Sequence, residues 1–130
     1  MTRKELSRWI DAYEAAWRSG EGVDRLFTPD ARYWSSPYTE PYTGTAAIEK
    51  FWERETDAGE EFTVGAEIVA VEGDTGVVRL EVEYTAPKQR HFRDIWIVTL
   101  AADGRCTAFE EWPFWPPGSE GGYAPGPAAG

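Results

Sequence analysis

The feature that most constrains the fold is a change of hydrophobic period near Phe62. Before this residue, apolar side chains recur at helical spacing. The clearest stripe comprises Leu6, Trp9, Ile10, Tyr13, Ala16 and Trp17. From Phe62 onward, apolar and polar residues alternate with period two, which is typical of β-strands. Helices followed by consecutive strands predict an α+β domain, with the helices packed on one face of a curved, mainly antiparallel sheet.

Capping residues mark where the predicted helices begin and end. Thr2 and Glu5 form a capping box for the first helix, and Gly20 ends it. Thr45 is predicted to begin a further helix that runs through Glu55. The shorter predicted elements are a helix at Val23–Phe27 and a strand at Ala31–Ser35.

Three turn sequences, at residues 72–75, 87–90 and 102–105, separate four predicted strands in the second half of the chain. Strands joined by such short turns form an antiparallel meander. The domain is expected to span residues 1–116. A Pro/Gly-rich tail at residues 117–130 is expected to be disordered.

The same turns predict a strand register, and the register predicts which side chains share a face. The predicted pairs are Ile68 with Arg79, Glu83 with Asp94, and Trp96 with Glu111. One face then carries Val64, Ala66, Ile68, Arg79, Glu81, Glu83, Phe92, Asp94, Trp96, Phe109 and Glu111.

The charged row Arg79, Glu81 and Glu83 has two interpretations. Charges among aromatic and β-branched side chains are typical of a ligand pocket or an active site. In the alternative, these three side chains face solvent, and the opposite face of their strand packs under the helices as the core. The pattern leaves both interpretations open.

Composition excludes several classes of partner. The net charge of −10 argues against binding to nucleic acid or to anionic membranes. The single cysteine, Cys106, fits a reducing compartment, and no segment has the character of a signal peptide or a membrane span. We therefore expect a cytoplasmic protein. Aromatic residues make up 15% of the chain and include seven tryptophans, which favours a cavity lined by aromatic side chains or a protein interface.

Several local runs resemble the nuclear transport factor 2-like superfamily, in particular its SnoaL-like branch, over about residues 3–116. The runs are Leu26-Phe27-Thr28-Pro29-Asp30-Ala31, then Tyr33 to Gly44 with Ala47-Ile48, and Asp103-Gly104-Arg105 leading into Phe109-Glu110-Glu111-Trp112. The resemblance implies a cone-shaped fold whose sheet and helices enclose a pocket, and often a homodimer formed through the outer sheet face. It does not specify an activity, because the superfamily contains isomerases, cyclases, hydrolases and non-catalytic binders.

The resemblance also implies site residues. Limonene epoxide hydrolases use an Arg-x-Asp pair, a second Asp on the last strand, and a Tyr-x-Asn pair that holds water. Arg79-Leu80-Glu81 is similar to the first pair, Glu111 falls at the last-strand Asp, and Tyr33-Trp34-Ser35 is similar to the water-holding pair. Glu stands here for both Asp residues and Ser for Asn. SnoaL-like cyclases place a single acid/base Asp at the position of Glu111.

These matches predict Glu111 as the acid/base residue, with Glu81 as the second carboxylate and Arg79 orienting it. Asp94 is an alternative to Glu81. The predicted substrate-binding residues are Tyr33, Ser35, Tyr38, Asp94, Trp96 and Phe109. The competing interpretation is an internal network of ion pairs that only satisfies buried charges.

The predicted function is the binding of a small, mostly hydrophobic molecule in an internal cavity, with neither cofactor nor metal. In one interpretation, the chain is a cofactor-free acid/base enzyme, such as an isomerase, a cyclase or an epoxide-hydrolase-like protein. A non-catalytic ligand binder, or a dimeric structural protein of the same fold, remains the alternative.

Overall fold

The computed structural model describes residues 1–54 and 60–118 of the chain. In chain order the elements are α1 (Arg3–Ser19), α2 (Val23–Leu26), β1 (Phe27–Trp34), β2 (Tyr42–Thr43), α3 (Thr45–Arg54), β3 (Glu61–Glu72), β4 (Thr75–Ala86), β5 (Arg90–Leu100) and β6 (Cys106–Phe114). This order confirms the predicted α+β class. Strand β1 is longer than predicted, because it begins directly after α2.

Helix α1 begins and ends at the predicted residues. The Thr2 hydroxyl accepts a hydrogen bond from the backbone N–H of Glu5 at 3.0 Å, and the Glu5 carboxylate accepts one from the backbone N–H of Thr2 at 3.2 Å. Gly20 ends the helix with a left-handed φ of 78°. The buried side of the helix comprises Leu6, Trp9, Ile10, Tyr13 and Ala16.

The six strands form one mixed sheet in the order β2-β1-β6-β5-β4-β3. Strands β3 to β6 form the predicted antiparallel meander. Strand β1 pairs in parallel with β6, with Tyr33 opposite Phe109. The first strand of the chain therefore lies beside the last one, and both contribute side chains to the same region of the interior.

The predicted register between β4 and β5 is wrong. Asp94 lies opposite Leu80 rather than Glu83, and the unpaired connection between these strands spans residues 85–89. Because the shift is an odd number of residues, it exchanges the two faces of β4 relative to β5. The β4 residues on the same face as Asp94 are Val78, Leu80, Val82 and Tyr84.

A bulge in β3 changes a second predicted pairing. The pairs beside the β3–β4 turn are as predicted, but the register shifts between Ile68 and Ala70. Arg79 consequently lies opposite Glu67 and not opposite Ile68.

The two faces of the sheet differ in burial. The inner face lies under the helices, and its buried side chains on β4 and β5 include Val78, Leu80, Val82, Phe92, Trp96 and Val98. On the outer face, Arg79, Glu81 and Glu83 are exposed. Trp112 and Phe114 also lie on the outer face, with 37% and 52% of their surface exposed. For the charged row of β4, the solvent-facing interpretation is therefore correct.

The Leu6 side chain of α1 packs directly on Gly76 of β4. This glycine is buried, and a Cβ atom built on it would overlap the Leu6 side chain, which is itself fully buried. A larger residue at this position would therefore require Leu6 to move. Leu6 precedes Tyr13 by two helical turns.

Within residues 1–54 and 60–118, no helix is long and apolar enough to cross a membrane. The predicted tail at residues 117–130 lies outside the described residues from position 119 onward, and so does Glu55, the predicted end of the third helix.

Candidate functional site

Two carboxyl groups lie side by side on the inner face of β5 and β6. Trp96 pairs with Glu111 across these strands, as predicted, and Asp94 pairs with Pro113. Asp94 and Glu111 are therefore diagonal neighbours on one face, at a separation that allows contact between long side chains. Asp94 is only 2% exposed, whereas Glu111 is half-buried. Glu111 thus connects a buried carboxyl group with the protein surface.

The two carboxyl oxygens of Asp94 differ in their hydrogen bonds. Its Oδ2 accepts a hydrogen bond from Trp96 Nε1 at 3.0 Å, and its buried Oδ1 receives none from the N–H and O–H groups described. The Asp94 carboxyl group also lies within hydrogen-bonding range of Glu111. Two ionised carboxylates cannot bond to each other, so a hydrogen bond between these groups forms only when one of them is protonated.

Burial raises the pKa of Asp94 well above its ordinary value of 3.8, and the negative charge of Glu111 raises it further. The hydrogen bond to Glu111 acts in the same direction, while those from Trp96 and from the backbone N–H of Ile95 oppose it. A carboxyl group whose pKa moves toward neutrality is suited to general acid/base catalysis.

Two tyrosine hydroxyls form a second polar group in the same interior. Tyr13 Oη on α1 and Tyr33 Oη on β1 are 2.9 Å apart, and Trp52 on α3 also forms a side-chain hydrogen bond with Tyr33. Burial raises the pKa of both tyrosines well above the ordinary value of 10.0, and the charge of Glu111 adds to the rise. Both hydroxyls therefore keep their protons at neutral pH.

Aromatic rings enclose these polar groups. Phe109 is fully buried, and its ring stacks on Tyr33 at 4.8 Å and on Tyr13 at 5.4 Å between centroids. The Trp96 ring lies 4.5 Å from Tyr13 and contacts Trp9 edge-on at 6.3 Å. Such surroundings have a low local dielectric constant, which strengthens hydrogen bonds and charge interactions within them.

Arg79 and Glu81, two of the three predicted catalytic residues, lie on the outer face and away from this site. Arg79 binds Glu67 at 3.0 Å, and Glu81 forms an ion pair of 3.6 Å with an arginine of β5. All four side chains of these pairs are more than 60% exposed. The prediction that Arg79 and Glu81 lie beside Glu111 is wrong, because β4 is shifted by an odd number of residues against β5.

Most of the predicted substrate-binding residues lie together. The residues that the structure brings to the carboxyl pair are Tyr33, Asp94, Trp96 and Phe109. Ser35 is buried as well, and its hydroxyl lies 3.5 Å from that of Thr39. Tyr38 is 94% exposed and does not cover the site.

Tyr13 and Trp52 belong to this cluster but were not among the predicted site residues, and Tyr13 was predicted only as part of the apolar stripe of its helix. Their helical spacing is typical of core residues, and both do pack in the core. The signal that distinguishes them is chemical, because a buried phenol or indole needs a hydrogen-bond partner. The sequence contains this signal but does not show which partner each residue finds.

Besides the departures at the carboxylates and at Ser35, the site differs from the limonene epoxide hydrolase pattern at a further position. In that pattern an arginine precedes the carboxylate by two residues, and the residue two before Asp94 is the buried Phe92. Over residues 1–54 and 60–118, no three His, Cys, Asp or Glu side chains are grouped to hold a metal ion.

A second aromatic cluster lies beside the first on the inner face. It consists of Phe62, Val82, Tyr84 and Phe92, with Trp17, Val64 and Trp115 packed against it. The Arg90 guanidinium lies 4.2 Å from the centre of the Tyr84 ring and pairs with Glu60 at 3.1 Å. Trp17 and Val64 pack against both clusters, so the apolar interior is continuous along the sheet.

Solved structures with similar folds include enzymes and a designed protein. The epoxide hydrolase/cyclase-like enzyme SalBIII, from pyran ring formation in the polyether salinomycin, matches with a TM-score of 0.67 at 18% identity, covering 85% of this chain and 91% of that one. An LEH-like epoxide hydrolase of M. tuberculosis matches at 0.63 and 16%, covering 85% and 83%. A computationally designed 17-OHP binder matches at 0.63 and 13%, covering 80% and 89%. At these identities the likeness shows the fold alone.

A search of curated proteins gave no significant match to the sequence. The sequence profile of the SnoaL-like domain, in contrast, matches residues 6–109. This range holds α1 from its second turn, both shorter helices and every strand as far as the middle of β6. The chain therefore belongs to the SnoaL-like domain family, within the nuclear transport factor 2-like superfamily.

Proposed function

We propose that this protein is a cofactor-free acid/base enzyme that acts on a small, neutral, mostly hydrophobic molecule. The observation that carries the proposal is the position of Asp94 and Glu111, two carboxyl groups that are diagonal neighbours on the inner face, with Asp94 buried among aromatic side chains. Because the raised pKa of Asp94 costs stability at neutral pH, the presence of this carboxyl group in the interior favours a chemical role.

The different exposure of the two carboxyl groups suggests how they divide the work. Burial disfavours the charged form, so Asp94 holds the proton, and the half-buried Glu111 carries the negative charge. Glu111 then acts as the base toward a carbon-bound proton or a water molecule, and Asp94 acts as the acid toward an oxygen atom. Isomerisation, cyclisation and epoxide opening all use this combination.

The relatives support the class of reaction and also the alternative. Two of the similar structures are named as epoxide hydrolase or cyclase-like proteins, whereas the third is a designed binder. Phe92 stands where the epoxide hydrolase pattern has an arginine, and this departure favours the second candidate, a ligand-binding protein without catalysis. The two candidates differ in one respect, which is whether the carboxyl pair moves a proton of the bound molecule.

A simple enolisable ketone tests this difference. We expect the wild-type protein in heavy water to exchange the α-protons of 2-tetralone faster than buffer carboxylate does at the same concentration, as followed by proton NMR. Glu110→Gln is the matched control, because Glu110 lies one residue away on the outer face of β6, opposite Ile97. Exchange at the buffer rate, with 2-tetralone demonstrably bound, would favour the non-catalytic binder.

We further propose that the outer sheet face forms a homodimer interface. Trp112 and Phe114 are exposed there, beside the half-buried Ile95 and Ile97, and large exposed apolar side chains of this kind commonly mark an interface. Sedimentation velocity at micromolar concentration should give a dimer for the wild type and a monomer for Trp112→Glu. A wild-type monomer under these conditions would contradict the proposal.

A further inference from the structure

The indole N–H of Trp115 is a buried donor without an acceptor in the part of the chain that the structure describes. Trp115 directly follows β6, and its ring stacks on the ring of Phe92 with 4.6 Å between the centroids. An indole nitrogen can only donate a hydrogen bond, and a buried donor that bonds to nothing lowers stability. Stacking on Phe92 explains the position of the ring but leaves the N–H group unexplained.

Trp115 lies on the inner face of the sheet, in the same row as the carboxyl groups. Pro113 is buried between two exposed neighbours, and Trp115 follows it by two residues, which is the spacing of side chains on one face. Phe92 likewise precedes Asp94 by two residues, and both are buried. Along an extended strand, Trp115 is about 13 Å from Glu111, and Phe92 is about 7 Å from Asp94.

The second aromatic cluster, which contains these two rings, reaches the protein surface. Its four core members are buried, whereas the side chains packed at its border, Trp17, Val64 and Trp115, are half-buried. The charge of the adjacent Arg90 is balanced by Glu60 at 3.1 Å. Such a border favours an uncharged, mainly apolar group over an anion.

We propose that the second aromatic cluster binds the remote end of the ligand, and that the Trp115 indole N–H donates to an ether or carbonyl oxygen there. The inference rests on the proposed function, because it places the other end of the same molecule at Asp94 and Glu111. It specifies the substrate class as elongated, neutral and mainly apolar, with a second oxygen roughly 7–13 Å from the reacting atoms. A ligand without this oxygen leaves the indole unpaired and therefore binds less tightly.

Two ligands of equal shape test the role of the indole. In 6-methoxy-2-tetralone an oxygen lies on the side of the ring system remote from the ketone, and in 6-ethyl-2-tetralone a methylene group replaces it. The wild type should bind the methoxy compound about three- to tenfold more tightly, the usual effect of one neutral hydrogen bond. Trp115→Phe should lose this preference, because phenylalanine can stack on Phe92 but cannot donate. Isothermal titration calorimetry measures both affinities.

Proton NMR of the indole N–H groups provides a second readout, which a packing role would not affect. The signal that is missing from the spectrum of Trp115→Phe belongs to Trp115. It should move further downfield when the methoxy compound binds than when the ethyl compound binds. Trp34→Phe is the matched control, because Trp34 pairs with Glu110 on the outer face, and this variant should keep the wild-type preference.

Equal affinities of the wild type for the two compounds would overturn the inference, and so would an unchanged preference in Trp115→Phe. If Trp115→Phe does not fold, Phe92→Leu replaces it. This variant removes the ring that holds the indole in place, so it should reduce the preference as well. A preference that Phe92→Leu leaves unchanged would contradict the inference.

Proton exchange in heavy water separates this inference from the proposed function. If the wild type prefers the methoxy compound but does not exchange its α-protons, the proposed function fails and the subsite stands. If the wild type exchanges the protons of both compounds and binds them equally, the proposed function stands and the subsite fails. Failure of both compounds to bind would contradict both.

Discussion

Replacing Glu111 by glutamine should lower the rate of α-proton exchange in 2-tetralone by about two to four orders of magnitude, the usual contribution of a general base. Asp94→Asn should lower it within the same range. Glutamine and asparagine keep the size and the hydrogen-bonding capacity of the originals but cannot carry the proton. The exchange rate is measured by NMR at saturating ketone, with the affinity measured separately by titration.

Glu81→Gln provides a second control for this experiment, because Glu81 is an exposed carboxylate on the outer face. Its exchange rate should equal that of the wild type. A Glu111→Gln protein that exchanges at the wild-type rate would rule out the base role. If Glu81→Gln lost activity instead, the assignment of the site to the inner face would be wrong.

Asp94→Asn, which should lower the exchange rate, should raise the stability of the protein at neutral pH. The pKa of Asp94 is raised in the folded state, so its contribution to stability is fully present below its ordinary value of 3.8 and is lost as the pH rises through the raised value. In Asp94→Asn the amide donates to Glu111 and the Trp96 bond is kept. We therefore expect a higher melting temperature than the wild type at neutral pH and a flatter pH profile above pH 3.8.

Phe109→Ala should lower the free energy of unfolding by about 3–5 kcal/mol, the usual range for removing a large aromatic side chain from a core. Phe109 is fully buried, and its ring contacts both Tyr13 and Tyr33. The loss would leave a cavity between α1 and the sheet. Urea denaturation followed by circular dichroism measures the change.

An exposed aromatic residue provides the comparison for this cavity. Tyr38→Ala should change the free energy of unfolding by no more than about 0.5 kcal/mol, because Tyr38 is 94% exposed. Such a small change would show that Tyr38 has no part in the core. Equal losses for the two alanine variants would mean that Phe109 is not central to the packing.

The sequence was sufficient for the order of the helices and the long strands because each signal was local, whereas the two-residue strand β2 was not predicted. The capping box at Thr2 was predicted correctly. The predicted pairing of Trp96 with Glu111 is confirmed, but the turn is not the two-residue loop expected, because Ala101 bonds to Arg105 and a register irregularity between Thr99 and Leu100 offsets the extra residue. The β4–β5 register was not predictable in this way. The connection at residues 85–89 lacks a strong two-residue turn signal, and both faces of β5 carry large apolar side chains, so neither phase was clearly favoured.

Most of the candidate site could be found from sequence. The turn at residues 102–105 predicted that Glu111 and Trp96 share a face, and Tyr33 followed from a resemblance in the first strand. Tyr13 and Trp52 are brought in by the packing of two separate helices, which no local pattern encodes. Arg79 was wrongly assigned to the site because an exposed cross-strand ion pair and a buried one have the same sequence pattern.

Gly76 leaves room for the Leu6 side chain, which lies on the same buried side of α1 as Tyr13. A larger residue at position 76 would have to displace that side chain or the helix, and a displacement of the helix would change the 2.9 Å separation between Tyr13 and Tyr33 two turns away. Positioning errors well below the size of an atom are enough to weaken a hydrogen bond of this kind. A position outside the polar cluster is thus linked to the two tyrosines through packing alone, and a substitution there would act on their hydrogen bond without altering any polar group.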